Sequence, residues 1–311
     1  MYILSRTPTD ETMFDIKKLK NITLNDRNIL EPFLTGLNDF SCEMSFANLA
    51  MWHEAYHTQY AFAENGSLIL YSPVEKMIYF PRGPEISPEQ LACINTAFTN
   101  ANLTDGTIYD IPEDYLKKHD DMEKYFTVKQ NEDSFDYIYD NQQLRDCTGN
   151  KLRKKRNLIK QFLQNNPDFQ LIPLQKSTAG RFEILSMRLN SKLEDCDFIH
   201  DENKVISFAC KNFRELSLHG VILNCKSSGD TGFAIWSELN QNIADIHFEK
   251  ADHTVKGAPQ FLTQQLASIL CDAQIKYMNR EQDLGSPGIR QAKHSLDPVF
   301  MYRRAAASCK K

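Results

Sequence analysis

Residues 277–298 read YMNREQDLGSPGIRQAKHSLDP. An amide, Asn279, and the charged side chains of Arg280, Glu281, Asp283, Arg290 and Lys293 follow an apolar lead-in, a composition suited to binding an anion or moving a proton. Ser286 and Pro287 open a short predicted helix whose buried face carries Ile289, Ala292 and Leu296, so Arg290 and Lys293, three apart, project together. Asn279, Arg280 and Glu281 stand at the end of the preceding strand, and strand ends in α/β sheets are where ligands usually bind. The same residues also suit a plainer role, an ion-pair network of Arg280, Glu281, Asp283 and Arg290 that fixes the loop.

A second candidate lies in IADIHFEK, residues 243–250. Strand alternation puts Ile243, Asp245, His247 and Glu249 on one face and Ala244, Ile246 and Phe248 on the other, so the polar side is expected to face a cleft or solvent. The next run, KADHTVKGAPQF, turns into a helix. Gly257 and Ala258 permit close backbone approach, Pro259 suits the first turn, and the free N–H groups there would hold a phosphate or an oxyanion. An ordinary turn containing a glycine is the alternative.

KLRKKRNLIK, residues 151–160, packs Lys151, Arg153, Lys154, Lys155, Arg156 and Lys160 into a chain of net charge −5. Such a helix would bind RNA phosphates or anionic headgroups, with Asn157 adding a neutral amide. As a purely structural element it would be a solvated face, with Leu152, Ile159 and Phe162 or Leu163 turned inward. HEAYH, residues 53–57, matches HExxH, with His53 and His57 as zinc ligands and Glu54 as general base. The sequence after His57 lacks the HxxGxxH continuation, Glu75 is the one downstream acid in reach, and Trp52 and Tyr56 fall at core spacing, so a packed helix without metal is expected. LEDCDFIHDE gathers acids, Cys196 and His200 without metal spacing and reads as a loop and helix start.

The elements that must position these groups follow from composition and periodicity. A chain of 311 residues, 41% hydrophobic and 25% charged, can bury a substantial core in one large or two medium domains. Its net charge argues against nucleic-acid binding over the whole surface. The first twenty residues have no cleavable apolar leader and no span reaches eighteen apolar residues, so a cytoplasmic protein is expected. The eight cysteines are scattered without a CxxC pair, which indicates neither a zinc ribbon nor a disulfide framework. Helices are predicted at 24–39 and 45–58, strands around 59–63, 67–72 and 76–80, and a helix opened by Ser87, Pro88 and Gln90 as a capping box. A strand near GTIYDI, a helix near EDYLKKH and a strand at 135–139 lead to the basic helix, 148–165. A strand near FQLIPL and helices at 178–193 and 202–217 precede three β-rich runs, VILNC, GFAIWSEL and IADIHFEK. The tail reads helix 258–275, strand 276–281, helix 287–296 and strand 298–304, a mixed α/β pattern.

YMNREQDLGSPGIRQAKHSLDP, HFEKADHTVKGAPQF, KLRKKRN and SFANLAMWHEAY together resemble a bacterial family of unknown function related to the C-terminal catalytic domain of phosphatidylglycerol lysyltransferases. The resemblance implies an α/β (α+β) chain of two tandem GNAT-like domains, 1–147 and 148–311, the second beginning with the basic helix. It further implies kinship with Fem-type aminoacyltransferases, which take an aminoacyl group from aminoacyl-tRNA and pass it to a lipid or a peptidoglycan precursor. Aligning the GNAT pyrophosphate loop, Q/R-x-x-G-x-G/A, on Gly257 leaves Thr254 where Gln or Arg belongs and Pro259 where Gly or Ala belongs. That departure counts against a CoA loop. The membrane-embedded region of the lysyltransferases is not in this sequence, so a lipid acceptor would be reached from the membrane surface.

Transfer to an amine or hydroxyl needs a deprotonated nucleophile, a stabilised oxyanion and a proton route to the leaving hydroxyl, but no covalent nucleophile. The expected catalytic residues are Glu249, Arg280 and Asp283, with Glu249 as base or amine-binding carboxylate. The expected binding residues are Lys155, Arg156, Asn157, His247, Gly257, Asn279, Arg290 and Lys293. No resident cofactor is expected. The expected donor is acyl-CoA or aminoacyl-tRNA, and the expected partners are tRNA or an anionic small-molecule donor, with peripheral contact to anionic membrane lipid. A degenerate, non-catalytic binding module and a zinc hydrolase built on HEAYH are the competing readings.

Overall fold

The computed structural model describes residues 13–34, 36, 39–191 and 197–310. The readings made for Cys196 and for the start of the chain fall outside them. Among the described residues the first run of strands is β1 (Lys20–Asn21), β2 (Gln59–Phe62), β3 (Leu68–Ser72), β4 (Met77–Tyr79), β5 (Thr107–Pro112), β6 (Phe126–Gln130) and β7 (Asp136–Asp140). The second run is β8 (Gln170–Pro173), β9 (His219–Cys225), β10 (Gly229–Asn240), β11 (Ile243–Ala251), β12 (Tyr277–Asn279), β13 (Phe300–Tyr302) and β14 (Arg304–Cys309).

These strands form two seven-stranded sheets, ordered β1-β2-β3-β4-β5-β14-β6 and β13-β7-β12-β11-β10-β9-β8. In the first, β2, β3 and β4 make an antiparallel meander, and the helix Pro88–Asn100 returns the chain to β5, parallel to β4. In the second, β9, β10 and β11 make the same meander, and the helix Ala258–Asp272 returns the chain to β12, parallel to β11. The last strand of each run is exchanged, with β14 between β5 and β6 and β7 between β12 and β13. The topology therefore occurs twice, in the tandem GNAT-like order the resemblance implies. The compact units are discontinuous in sequence: Met1–Leu34 with Ala55–Glu132 and Arg303–Lys311, and Thr35–Glu54 with Asp133–Tyr302.

Each unit has its own core. The first buries Ile69, Ile78, Ile94, Phe98, Ile108 and Phe126. In the second, Phe162 of the helix Arg153–Asn165 stacks on Phe261 of the helix Ala258–Asp272 with ring centroids 4.5 Å apart, beside Leu262, Leu266 and Met278. Each such ring taken from water contributes roughly 1.5–3 kcal/mol, which is why the basic helix holds firmly to the sheet despite its charge.

Several elements differ from expectation. The helix predicted over 45–58 is two pieces, Phe46–Met51 and His53–Tyr56, and His57 takes a left-handed φ of 51°. HEAYH therefore does not present His53 and His57 on one helical face. The helix predicted over 24–39 is a 3-10 turn, Leu24–Asp26, followed by Arg27–Leu34. The basic helix begins at Arg153, and β6 and β14 were not foreseen. Among the described residues no helix is long and apolar enough to cross a membrane.

Candidate functional site

β11 and β12 stay paired only from Ile243/Tyr277 to Asp245/Asn279. Beyond that β11 runs on to Ala251 while the chain leaves β12 through Arg280, so the parallel pair opens into a wedge at its carboxyl end. A break in the sheet between neighbouring strands creates such a crevice because the backbone groups there have no ladder partner.

A second irregularity decides which side chains share a side. The β10–β11 register shifts between Ile235 and Trp236, so Phe248 faces Ile235 while Ile246 faces Trp236, and His247 is the extra residue of a bulge. Alternation is reversed across such a bulge. Glu249 consequently turns to the helix Ala258–Asp272 and accepts a 2.5 Å hydrogen bond from the Thr263 hydroxyl. His247 turns to the other layer, where its Nε2 lies 2.8 Å from Ser237 Oγ. Thus Asp245, His247 and Glu249 do not form one polar face, and Asp245 and His247 are buried rather than open to a cleft.

On the Glu249 side is a cavity of about 740 Å³ in the second unit, within the size range of small-ligand sites. Glu249, Arg280, Lys155 and Lys293 converge on it, and Leu189, Leu262, Ile289 and Leu296 give it apolar walls. Arg280 Nη2 lies 3.0 Å from Glu249 Oε2, and its guanidinium sits 5.8 Å from the centroid of the Tyr139 ring. Arg280 Nη1 is buried without a hydrogen-bond partner. Lys155 Nζ donates to Ser295 Oγ at 2.8 Å, and burial, followed by the charge of Arg280, lowers its pKa. Lys293 donates to the carbonyls of Arg280 at 2.5 Å and Glu281 at 3.0 Å, and burial pushes its pKa down to about 8.

The other expected site residues lie elsewhere in the same unit. Asp283 receives Arg290 Nε and Nη2 at 2.7 and 2.8 Å and the Tyr137 hydroxyl at 2.6 Å. Arg290, despite the burial of Asp283, holds that carboxyl well below the usual carboxylate range, and itself also reaches Asp133. Asn279 donates to the Phe40 carbonyl at 2.6 Å and to Asp136 at 3.0 Å, and accepts from the Glu281 amide. These contacts fix the loop 279–290, as an ion-pair network would. Arg156 caps the carbonyls of Cys147 and, at 2.8 Å, Gly149, while Asn157 is exposed. Gly257, at φ 82°, packs against the basic helix: a Cβ there would lie 2.2 Å from the Leu158 carbonyl oxygen. The close approach that this glycine permits is to protein backbone.

Thr263 and Tyr139 belong to the site but carried no sequence signal, because Thr263 depends on which way the bulge turns Glu249 and Tyr139 on where the chain leaving β12 carries Arg280. Lys250, the residue after Glu249, also lines the cavity, where its ammonium is held by Asn190 and Glu202.

A family model described as phosphatidylglycerol lysyltransferase, C-terminal, matches residues 35–307. The chain is similar to a conserved protein of unknown function from Bacteroides thetaiotaomicron VPI-5482, at 25% identity and a TM-score of 0.83, over 94% of this chain and 99% of that one. It also resembles the C-terminal domain of a putative lysylphosphatidylglycerol synthetase from Agrobacterium fabrum, at 14% identity and a TM-score of 0.62 over 92% of each chain. A third similar structure is L-PGS from Bacillus licheniformis, at 13% identity and a TM-score of 0.55 over 81% of this chain and 83% of that one. No curated protein matches the sequence.

Proposed function

Because the chain belongs to the phosphatidylglycerol lysyltransferase C-terminal family, and an acyltransferase-like activity comes with that family, we propose that it moves an aminoacyl group from an aminoacyl-tRNA-like donor to a lipid or another hydroxyl or amine acceptor. The observation that carries this reading is the pairing of Glu249 with Arg280 in the cavity, where Arg280 Nη1 has a donor to spare. The acceptor hydroxyl or amine attacks the ester carbonyl, a new C–O or C–N bond forms, and the bond to the donor's sugar oxygen breaks. Glu249 takes the proton of the attacking group and returns it to the leaving oxygen, while Arg280 Nη1 meets the negative charge developing on the carbonyl oxygen. A buried donor held in place by Tyr139 and Glu249 needs little reorganisation as that charge forms.

Lys155 serves the donor's nearest phosphate, and the exposed Arg153, Lys154 and Lys160 of the basic helix serve those farther out. The apolar walls suit a lipid-borne acceptor. Two details favour an RNA donor over acyl-CoA. Thr254 spends its amide and hydroxyl on Asp252, at 3.0 and 2.6 Å, and the Gly257 Cα faces Leu158.

Single-turnover transfer with Glu249→Gln and Arg280→Gln tests the assignment. Glu249→Gln is expected to keep donor affinity and slow transfer by roughly 10²-fold or more. Donor binding should weaken steeply with salt, and each of Arg153→Ala and Lys160→Ala should flatten the slope by about one phosphate contact. A transfer rate unchanged in Glu249→Gln removes the proton-transfer role, and salt-independent binding removes the RNA donor.

A further inference from the structure

On the face of β11 away from the cavity, the bulge and the wedge bring together groups that the transfer reaction does not use. His247 Nδ1 lies 3.6 Å from Asp245 Oδ2 and 3.7 Å from Glu281 Oε1. One donor atom from each of the three residues falls within 4.8 Å of the other two. The His247 side chain is 1% exposed, and its Nδ1 has no hydrogen-bond partner. We propose that Asp245, His247 and Glu281 bind a divalent transition-metal ion, with Zn²⁺ the best fit.

The hydrogen bond on the other ring nitrogen sets the chemistry. Ser237 Oγ is 2.8 Å from His247 Nε2 and 3.4 Å from Ser45 Oγ. With Nε2–H donating to Ser237 and Ser237 donating on to Ser45, Nδ1 is left as a bare lone pair directed at two carboxylates. A lone pair facing carboxylate oxygens in a buried site is unfavourable unless a cation stands between them. The separations of 3.6 and 3.7 Å exceed hydrogen-bond length. They match two ligands of one tetrahedral ion, which at bond lengths of about 2.0–2.2 Å lie roughly 3.4 Å apart. One imidazole and two carboxylates suit zinc better than a purely oxygen-seeking ion, and leave a fourth position for water. Ser237 supplies the outer-shell partner that metal-bound imidazoles usually have. Glu281 keeps 27% of its side chain exposed, so the site has a way in from solvent.

Such an ion would tie β11 to the segment leaving β12 across the mouth of the wedge. Arg280 directly precedes Glu281 and Glu249 lies two residues after His247 in the chain, so the metal would fix both without entering the reaction. Its location differs from HEAYH, whose histidines do not share a helical face.

The experiment uses the full chain, stripped with chelator, incubated with ZnCl₂ alone, desalted and assayed for zinc by elemental mass spectrometry and for thermal stability. About one zinc per chain and a raised Tm are expected. Glu281→Gln, at a partly exposed position that tolerates the change, should lower zinc affinity by at least tenfold. Ser237→Ala should lower it about 10- to 100-fold, whereas His57→Ala should bind as wild type. The proposal is overturned if wild type retains no zinc and gains no stability. It is equally overturned if zinc is lost in His57→Ala but kept in Glu281→Gln, or if NMR finds His247 carrying a proton on Nδ1 in the presence of zinc.

Discussion

Lys155 shows how a single side chain of a charge run comes to differ from its neighbours. Its ammonium reaches the cavity and donates to Ser295, and burial followed by the charge of Arg280 lowers its pKa from the ordinary 10.5. With the folded pKa below the unfolded one, the charged form destabilises the fold at every pH below the folded pKa, and that penalty is relieved as pH rises from there toward 10.5. Anion binding has the opposite sign, because a phosphate needs the charge. Donor affinity measured from about pH 7 to 10 should therefore fall at a pH below the range of an ordinary lysine. Lys155→Arg should remove the part of that alkaline fall due to Lys155, since a guanidinium stays charged throughout, and leave the part due to Lys293, whose pKa burial pushes down to about 8 in the same cavity. An identical alkaline profile in Lys155→Arg would exclude Lys155 as the group responsible. The sequence made the type of chemistry legible here, six cations in ten residues, but not the assignment of each. Lys155 enters the cavity, Arg156 caps two carbonyls, and Arg153, Lys154 and Lys160 stay in water. In the loop 279–290 the charges announced either a ligand site or an ion-pair network, and only the fold separates Arg280, which faces the cavity, from Asp283 and Arg290, which bind each other.

At the scale of elements, the junction between the basic helix and the helix Ala258–Asp272 turns on Gly257. Its φ of 82° is one that side chains resist, and a Cβ would sit 2.2 Å from the Leu158 carbonyl oxygen and 3.0 Å from Phe162 Cβ. Gly257→Ala should therefore cost about 3 kcal/mol or more, combining left-handed strain with a displaced helix. Chemical denaturation would read it as a lower midpoint at unchanged slope. A loss below about 1 kcal/mol would mean that the two helices separate easily. The glycine was visible in the sequence as a point of close approach, although its partner was not. Helix starts with chemical signatures were read well, and Ser87 and Gln90 do form the capping box. Strict alternation along β11 failed because a bulge leaves no mark in a string of residue types. The closing strand β14 was missed because RAAASC is poor in β-branched and aromatic residues. It is a strand by virtue of the neighbours that bind it on both edges.

For the whole molecule, the repeated topology has a consequence that neither half has alone. Each seven-stranded sheet completes itself with the last strand of the other run, β7 in one case and β14 in the other. β14 lies between β5 and β6, buries Ala305 and Ala307, and directs Arg304 Nη1 to Asp110 Oδ1 at 2.5 Å, where Arg82 binds the second oxygen. The six residues of β14 thus supply two ladders and a buried charge to a unit from which they are remote in sequence. Truncation before Arg304 would leave β5 and β6 each with an open edge, a loss that local repacking cannot replace. Hydrogen exchange of the truncated chain should find β3, β4 and β5 opening with free energies close to those of frayed segments, ~0 kcal/mol, while β9, β10 and β11 keep their protection. Uniform loss across both sheets would show instead that the second unit cannot hold its own structure once the first has opened. Unchanged protection of β5 would show that β14 adds nothing that the first sheet needs.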